Sequence, residues 1–194
     1  MEWFKLRNYS WWRPLRAALK REFAHLDAVG LVLRESPRGP NSLTYGETPC
    51  LSVLHVLRTT GLGPGCRFVD LGSGQGVPCL TAAALGYPAT GLEFFAEYIP
   101  GCQKIADELG LPARFQQADI MEADWPEADL FWLTSSAFTQ SFRQRLAARL
   151  EQLPPGTLVV TQDWILDPPF SLERIQVLPV SWGMARFCYQ RLNE

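Results

Sequence analysis

The sequence is poor in the residues that do most visible chemistry. Its only histidines, His25 and His55, lie far apart. Its five cysteines, Cys50, Cys66, Cys79, Cys102 and Cys188, are odd in number and form no C-x-x-C pair. That spacing argues against a disulfide framework and a thiolate metal site, so no metal is expected. The thiols read as reduced and mostly buried in a cytoplasmic chain. No apolar run approaches a membrane span of about 20 residues. Charged and aromatic residues directly after Met1 do not resemble a signal peptide. The net charge of −2 gives no overall attraction to nucleic acid. There is no internal repeat and no low-complexity tract. What remains is 194 residues, 47% hydrophobic and 20% charged, which suits one soluble domain with an ample core.

The stretch Phe68-Val69-Asp70-Leu71-Gly72-Ser73-Gly74-Gln75-Gly76 organises this chain. Phe68 and Val69 are strand formers, and Asp70 falls at the carboxyl end of that strand, where ligands bind in open α/β sheets. The glycines permit a tight turn with no β-carbons between backbone and ligand. Pro78 then suits the first turn of a helix. A dinucleotide fingerprint would read G-x-G-x-x-G. Here the third glycine comes one residue early, and an acid precedes the first glycine by two. The spacing also places Glu93 at the end of a second strand, Pro88 to Leu92. The alternative is a nucleotide-binding or purely structural glycine turn.

Further along, Phe95 to Leu109 reads as a helix closed by Gly110, and Pro112 to Gln116 as strand three, followed by Asp119-Ile120. Ala128 to Leu133 is strand four and Thr157 to Thr161 strand five, with a helix between them from Gln140 to Leu153. The end reads as a hairpin, Glu173 to Pro179 and Met184 to Leu192, about a Ser181-Trp182-Gly183 turn. Alternating strands and helices predict a Rossmann-like α/β fold: a seven-stranded, mostly parallel sheet with helices on both faces and a C-terminal antiparallel hairpin. Asp70, Glu93, Asp119 and Ser135 would then share one crevice. Upstream, Thr48 is placed to cap a helix that begins at Pro49.

Residues 1–40 read as a basic, aromatic helical extension and 41–194 as the main domain. Residues 1–38 carry eight Lys/Arg against four acids, a local +4 that leaves −6 for the remainder. Trp12, Leu15, Leu19, Phe23 and Leu26 form one helical stripe, with Ser10 as its candidate cap. Either this helix covers the domain with its arginines solvated, or it docks an acidic partner or a membrane surface.

D-L-G-S-G-Q-G resembles motif I of class I S-adenosylmethionine-dependent methyltransferases. Tyr45-Gly46-Glu47-Thr48, motif I with its acids, and Val180-Ser181-Trp182 together resemble the non-SET lysine methyltransferases of the disruptor-of-telomeric-silencing family. The run Val159-Val160-Thr161-Gln162-Asp163 resembles small archaeal and mitochondrial protein lysine methyltransferases. The resemblance implies S-adenosylmethionine as cofactor. It has no phosphate but carries an ammonium and a sulfonium, so acids suit it. Asp70, Gly72 and Gly74 would hold its amino-acid head, Glu93 the ribose and Asp119 the adenine amine, with Ser73, Gly76 and Ile120 also among the cofactor-binding residues. Tyr45, Glu47 and Thr48 would form a loop over its methionine end. Ser135, Phe138, Trp182 and Phe187 would line the methyl-transfer channel, with a protein lysine as acceptor. The histone enzymes have an asparagine pair and two aromatics after strand four, where this chain has Ser135-Ser136-Ala137-Phe138, and a tyrosine where Phe187 falls. Alternatives on the same scaffold are a small-molecule or nucleic-acid acceptor, or a non-catalytic cofactor-binding module. Asp167-Pro168-Pro169-Phe170 matches a tetrapeptide of amino-methylating enzymes, but it lies past strand five and reads as a rigid turn.

Overall fold

A computed structural model describes residues 6–26, 46–134 and 138–193. Seven strands form one sheet in the order β3-β2-β1-β4-β5-β7-β6. They are β1 (Phe68–Leu71), β2 (Ala89–Glu93), β3 (Ala113–Gln117), β4 (Leu130–Leu133), β5 (Leu158–Gln162), β6 (Phe170–Val180) and β7 (Gly183–Leu192). The first five run parallel, and β7 pairs antiparallel with both β5 and β6. The last strand therefore lies inside the sheet and β6 forms its edge. The strand order reverses beside β1, between the chain's outward run to β3 and its return to β4. This is the switch point at which such sheets bind ligands.

Helices α1 (Trp12–Phe23), α2 (Cys50–Thr59), α3 (Val77–Ala84), α4 (Ile99–Glu108) and α5 (Gln140–Leu150) cover the sheet. The first four belong to one hydrophobic core with Phe68, Trp132, Val160 and Phe187. The fifth packs Phe142, Leu146 and Leu150 against Val69, Phe131 and Val159 in a second core. β1 and β4 are buried along their whole length, as strands covered on both faces must be.

Local chemistry moves several expected boundaries. Ser10 does not cap α1, whose N-cap is Trp11 with no side-chain bond. Thr48 does not cap α2 either. Its N-cap is Pro49, whose carbonyl accepts the amides of Ser52 and Val53. The helix expected from Phe95 opens with a short 3₁₀ turn at Ala96–Tyr98, and α4 proper begins at Ile99 with Pro100 in its first turn. The helix expected to run to Leu153 stops at Leu150. Asp167 to Pro169 form an exposed turn closed by Phe170 N–H donating to the Asp167 carbonyl (3.2 Å). Among the described residues no helix is long and apolar enough to cross a membrane.

Candidate active site

The glycine turn is stitched to the neighbouring strand. The amides of Gly72 and Ser73 both donate to the Leu92 carbonyl (2.8 and 3.0 Å), and Gly76 N–H donates to Ser73 O (2.8 Å). Gly72, Gly74 and Gly76 all have positive φ, at +90°, +51° and +74°. Gly76 is required twice over. A β-carbon there would lie 2.8 Å from the Phe115 ring and 3.0 Å from Cys102 Sγ, besides the left-handed backbone. Phe115 also lies against Gly91 of β2, so one aromatic ring from β3 fills the space left by two glycines.

Two acids meet at this turn in opposite states. Glu93, 6% exposed, is well satisfied: Oε2 accepts Gly74 N–H at 2.7 Å and Oε1 accepts Phe95 N–H at 2.9 Å. It thereby locks the turn to the end of β2. Asp70, 1% exposed, has no hydrogen-bond partner on either carboxylate oxygen. Burial, and then the charge of Glu93, push its carboxyl well above the usual carboxylate range. Ser73 Oγ and Thr48 Oγ1 are also buried without a partner. Buried polar groups without partners cost stability, so such a group at a strand end is suited to a ligand. Cys79 and Cys102 lie near the same acids. Burial pushes both thiols up, which makes them packing residues and not nucleophiles.

The pairing of Glu93 with Gln117 brings Asp119, two residues further on, to the same edge. There Asp119 builds the chain's turn. Oδ1 accepts Met121 N–H (2.8 Å), and its carbonyl accepts the amides of Glu122 and Ala123. Ile120 is buried in the second core, its carbonyl held by Trp125 Nε1 (3.0 Å) and Arg149 Nη1 (2.9 Å).

Two sequence segments 134 positions apart close into a clamp. Glu47 N–H donates to Ser181 Oγ and Ser181 N–H to the Glu47 carbonyl, both at 3.0 Å. Ser52 Oγ donates to Pro179 O at 2.6 Å. Trp182 lies on Gly46, so that a methyl group there would fall inside the indole. Its other surface is open, at 40% exposure.

The expected channel residues do not form one group. Tyr45 and Ser135 lie outside the described residues. Phe138 packs on Phe142 (ring centroids 4.8 Å) with the second core. Phe187, 1% exposed, packs at a tilt on Trp132 within the first core (ring centroids 5.5 Å). Sequence reasoning missed Phe115, Thr134 and Gln162. Thr134 Oγ1 accepts Trp132 Nε1–H (3.3 Å) just past β4, and buried Gln162 ends β5 opposite Phe187. For Thr134 and Gln162 a position at a strand end was the only available signal, and Phe115, in the middle of β3, had none.

No known family profile matches the chain, and neither does any curated protein. Solved structures do. An RNA methyltransferase from Salinibacter ruber, in complex with S-adenosyl-L-homocysteine, superposes with a TM-score of 0.64 at 28% identity, over 76% of this chain and 94% of that one. The chain has the fold of the class I S-adenosylmethionine-dependent methyltransferases. Two more distant structures share that fold. TrmN from Thermus thermophilus has a TM-score of 0.63 at 22% identity, over 79% of this chain and 52% of its own. Magnesium protoporphyrin IX methyltransferase (ChlM) from Synechocystis PCC 6803, with bound S-adenosylmethionine, has 0.66 at 14%, over 87% and 98%. S-adenosylmethionine is the cofactor of this methyltransferase fold, and the residues at the switch point fit it. The unpartnered Asp70 carboxylate suits an ammonium, and the open space above Gly72 leaves the backbone accessible. Glu93 keeps lone pairs for hydroxyls after accepting two amides.

Proposed function

We propose that this protein is an S-adenosylmethionine-dependent methyltransferase whose acceptor is a protein lysine. The observation that carries the methyltransferase reading is the buried, unpartnered carboxylate of Asp70 under the glycine turn. When bound, the cofactor supplies a methyl group on a sulfonium. Asp70 and Ser73 would hold its amino-acid head, Glu93 its ribose, and the Asp119–Ile120 turn its adenine. The Tyr45–Thr48 segment would close over the methionine end, anchored at Ser181.

The lysine reading is supported by that clamp and by the open indole of Trp182. An aromatic face stabilises an ammonium or methyl cation by about 0.5–2 kcal/mol. A lysine must lose its proton before it attacks. From the ordinary lysine pKa of about 10.4, that costs on the order of 4.6 kcal/mol near pH 7. Exclusion of water beside Trp182 would lower that cost. A second reading, an RNA acceptor, is favoured by the 28% identity to the Salinibacter enzyme.

The test is transfer of labelled methyl from S-adenosylmethionine into a cell lysate, separated into protein, RNA and small-molecule fractions. Label in protein that hydrolyses to methyl-lysine supports the first reading, and label confined to RNA overturns it. Absence of calorimetric binding at millimolar cofactor would overturn both.

A further inference from the structure

We propose that the outward stripe of α1 is a docking surface for single-stranded RNA, with the phosphates held by Arg13, Arg16 and Lys20. This goes beyond the choice of acceptor and does not depend on it.

The helix spends its two faces differently. Trp12, Leu15, Ala18 and Phe23 are buried in the first core. Arg13, Arg16, Ala17 and Lys20 follow at helical spacing on the exposed side and line a recess of about 270 Å³ together with Trp12. That volume suits a single phosphate or base and is too small for a drug-sized ligand. Within the same helix Arg21 is committed to Glu22 and Glu108 (2.7 and 2.5 Å). Among the described residues Arg16 and Lys20 have no acidic partner, and Arg16 instead lies over the Trp12 ring at 6.0 Å. Trp12 lines the recess while its buried indole N–H has no acceptor.

Charge selects a polyanion. The helix carries Arg13, Arg16, Lys20 and Arg21 against Glu22 alone, in a chain whose net charge is −2, so this element is a local site of attraction for a polyanion. A membrane would need apolar side chains on the outward stripe. The large exposed hydrophobics among the described residues lie between Ile165 and Met184, and none is on α1. Phosphates with bases fit better, since apolar stems and Ala17 border the cations. The opposite, buried face of the helix reaches towards the cofactor crevice. Phe23 at its end packs on Tyr98 (6.1 Å), Tyr98 on Phe95 (6.4 Å), and Phe95 N–H donates to Glu93.

The experiment is fluorescence anisotropy of a labelled mixed-sequence RNA of about 20 nucleotides with the full chain. Three phosphate contacts predict that log affinity falls with log salt at a slope of about −2. The double variant Arg16→Glu/Lys20→Glu is expected to weaken RNA binding at least tenfold and flatten that slope, while cofactor affinity by calorimetry stays unchanged and shows the fold intact. Unchanged RNA affinity in the variant overturns the proposal. So does competition by poly-glutamate at equal charge concentration, or binding to phosphatidylserine vesicles without binding to RNA. Loss of cofactor binding with RNA binding retained would strike the methyltransferase reading and leave this one standing.

Discussion

The sheet's carboxyl edge has two halves built on different principles. From β1 to β3 the site is made of backbone. Three left-handed glycines, two strand-end acids and a side-chain-stabilised turn fix where a ligand can lie. From β4 to β7 the aromatics expected at the site belong instead to separate packing groups: Trp182 on Gly46, Phe138 on Phe142, and Phe187 on Trp132. The first half is committed to one ligand shape and the second to a surface that packing can vary. A cofactor shared across a fold and an acceptor that differs between its members call for that division.

The sharpest way to break this comparison is inside the first half, where the two acids should respond with opposite signs. Asp70→Asn removes a carboxylate that burial makes costly, so the cofactor-free protein should melt at a higher temperature at neutral pH. Cofactor affinity should fall about a hundredfold, because the ammonium loses its counter-charge. Glu93→Ala leaves the amides of Gly74 and Phe95 unsatisfied, at about 1–3 kcal/mol each, and should lower both melting temperature and affinity. Thermal melts with and without S-adenosylmethionine read both. If the two variants shift the melting temperature in the same direction, the functional assignment of Asp70 fails.

Next in size is a pH effect. The folded-state pKa of Asp70 is raised, so above the unfolded value of about 3.9 the native state retains a proton that the unfolded chain releases. The stability this group contributes is complete below that value and is lost as pH rises through the raised folded pKa. Cofactor binding runs the other way. It draws Asp70 into its charged form, so affinity should weaken by up to tenfold for each unit that pH falls below the raised pKa. Calorimetry across pH, repeated on Asp70→Asn, checks this; an equal slope in the variant assigns the proton elsewhere.

The same division explains what can be read in the sequence. The succession of strands and helices, the glycine turn and the acids are local patterns: short apolar runs between turn residues, an early third glycine and an acid at a strand end. The structure places Asp70, Glu93 and Asp119 at one edge, as that pattern implies. The roof that Phe115 forms over Gly76 and Gly91 depends on a contact across strands that no local spacing announces. Thr48 resembles a cap because capping is judged from sequence neighbours. Its segment is instead recruited by Ser181 through a contact across 134 positions. Phe187 takes a channel role from a resemblance, whereas its register opposite Gln162 puts it within the core. Polar turns are legible because their causes lie within a few residues, and aromatic packing is not.

The second half can be tested at the clamp. Gly46→Ala forces the Trp182 ring away from its seat. Overpacking of this kind costs about 1–3 kcal/mol. With Glu47 still bonded to Ser181, the cost should appear as several-fold slower methyl transfer with cofactor affinity within about twofold of wild type. Equal losses in both would mean that the clamp belongs to the cofactor half, and would move the boundary between the halves.

The smallest expected effect separates sequence likeness from position. Asp167-Pro168-Pro169-Phe170 has the letters of an acceptor-binding tetrapeptide. Its Asp167 is exposed and lies in the turn that enters β6. β6 runs parallel to β5, so its first residue lies at the opposite end of the sheet from Asp70 and Glu93. What the turn uses from Asp167 is its carbonyl, which every residue supplies. Asp167→Ala should therefore change stability by less than about 0.5 kcal/mol, as exposed substitutions usually do. Methyl-transfer rates should match wild type under saturating acceptor. A tenfold fall in turnover with an unchanged melting temperature would mean that the acceptor reaches around the sheet to its far end, and the carboxyl edge would no longer contain the whole reaction.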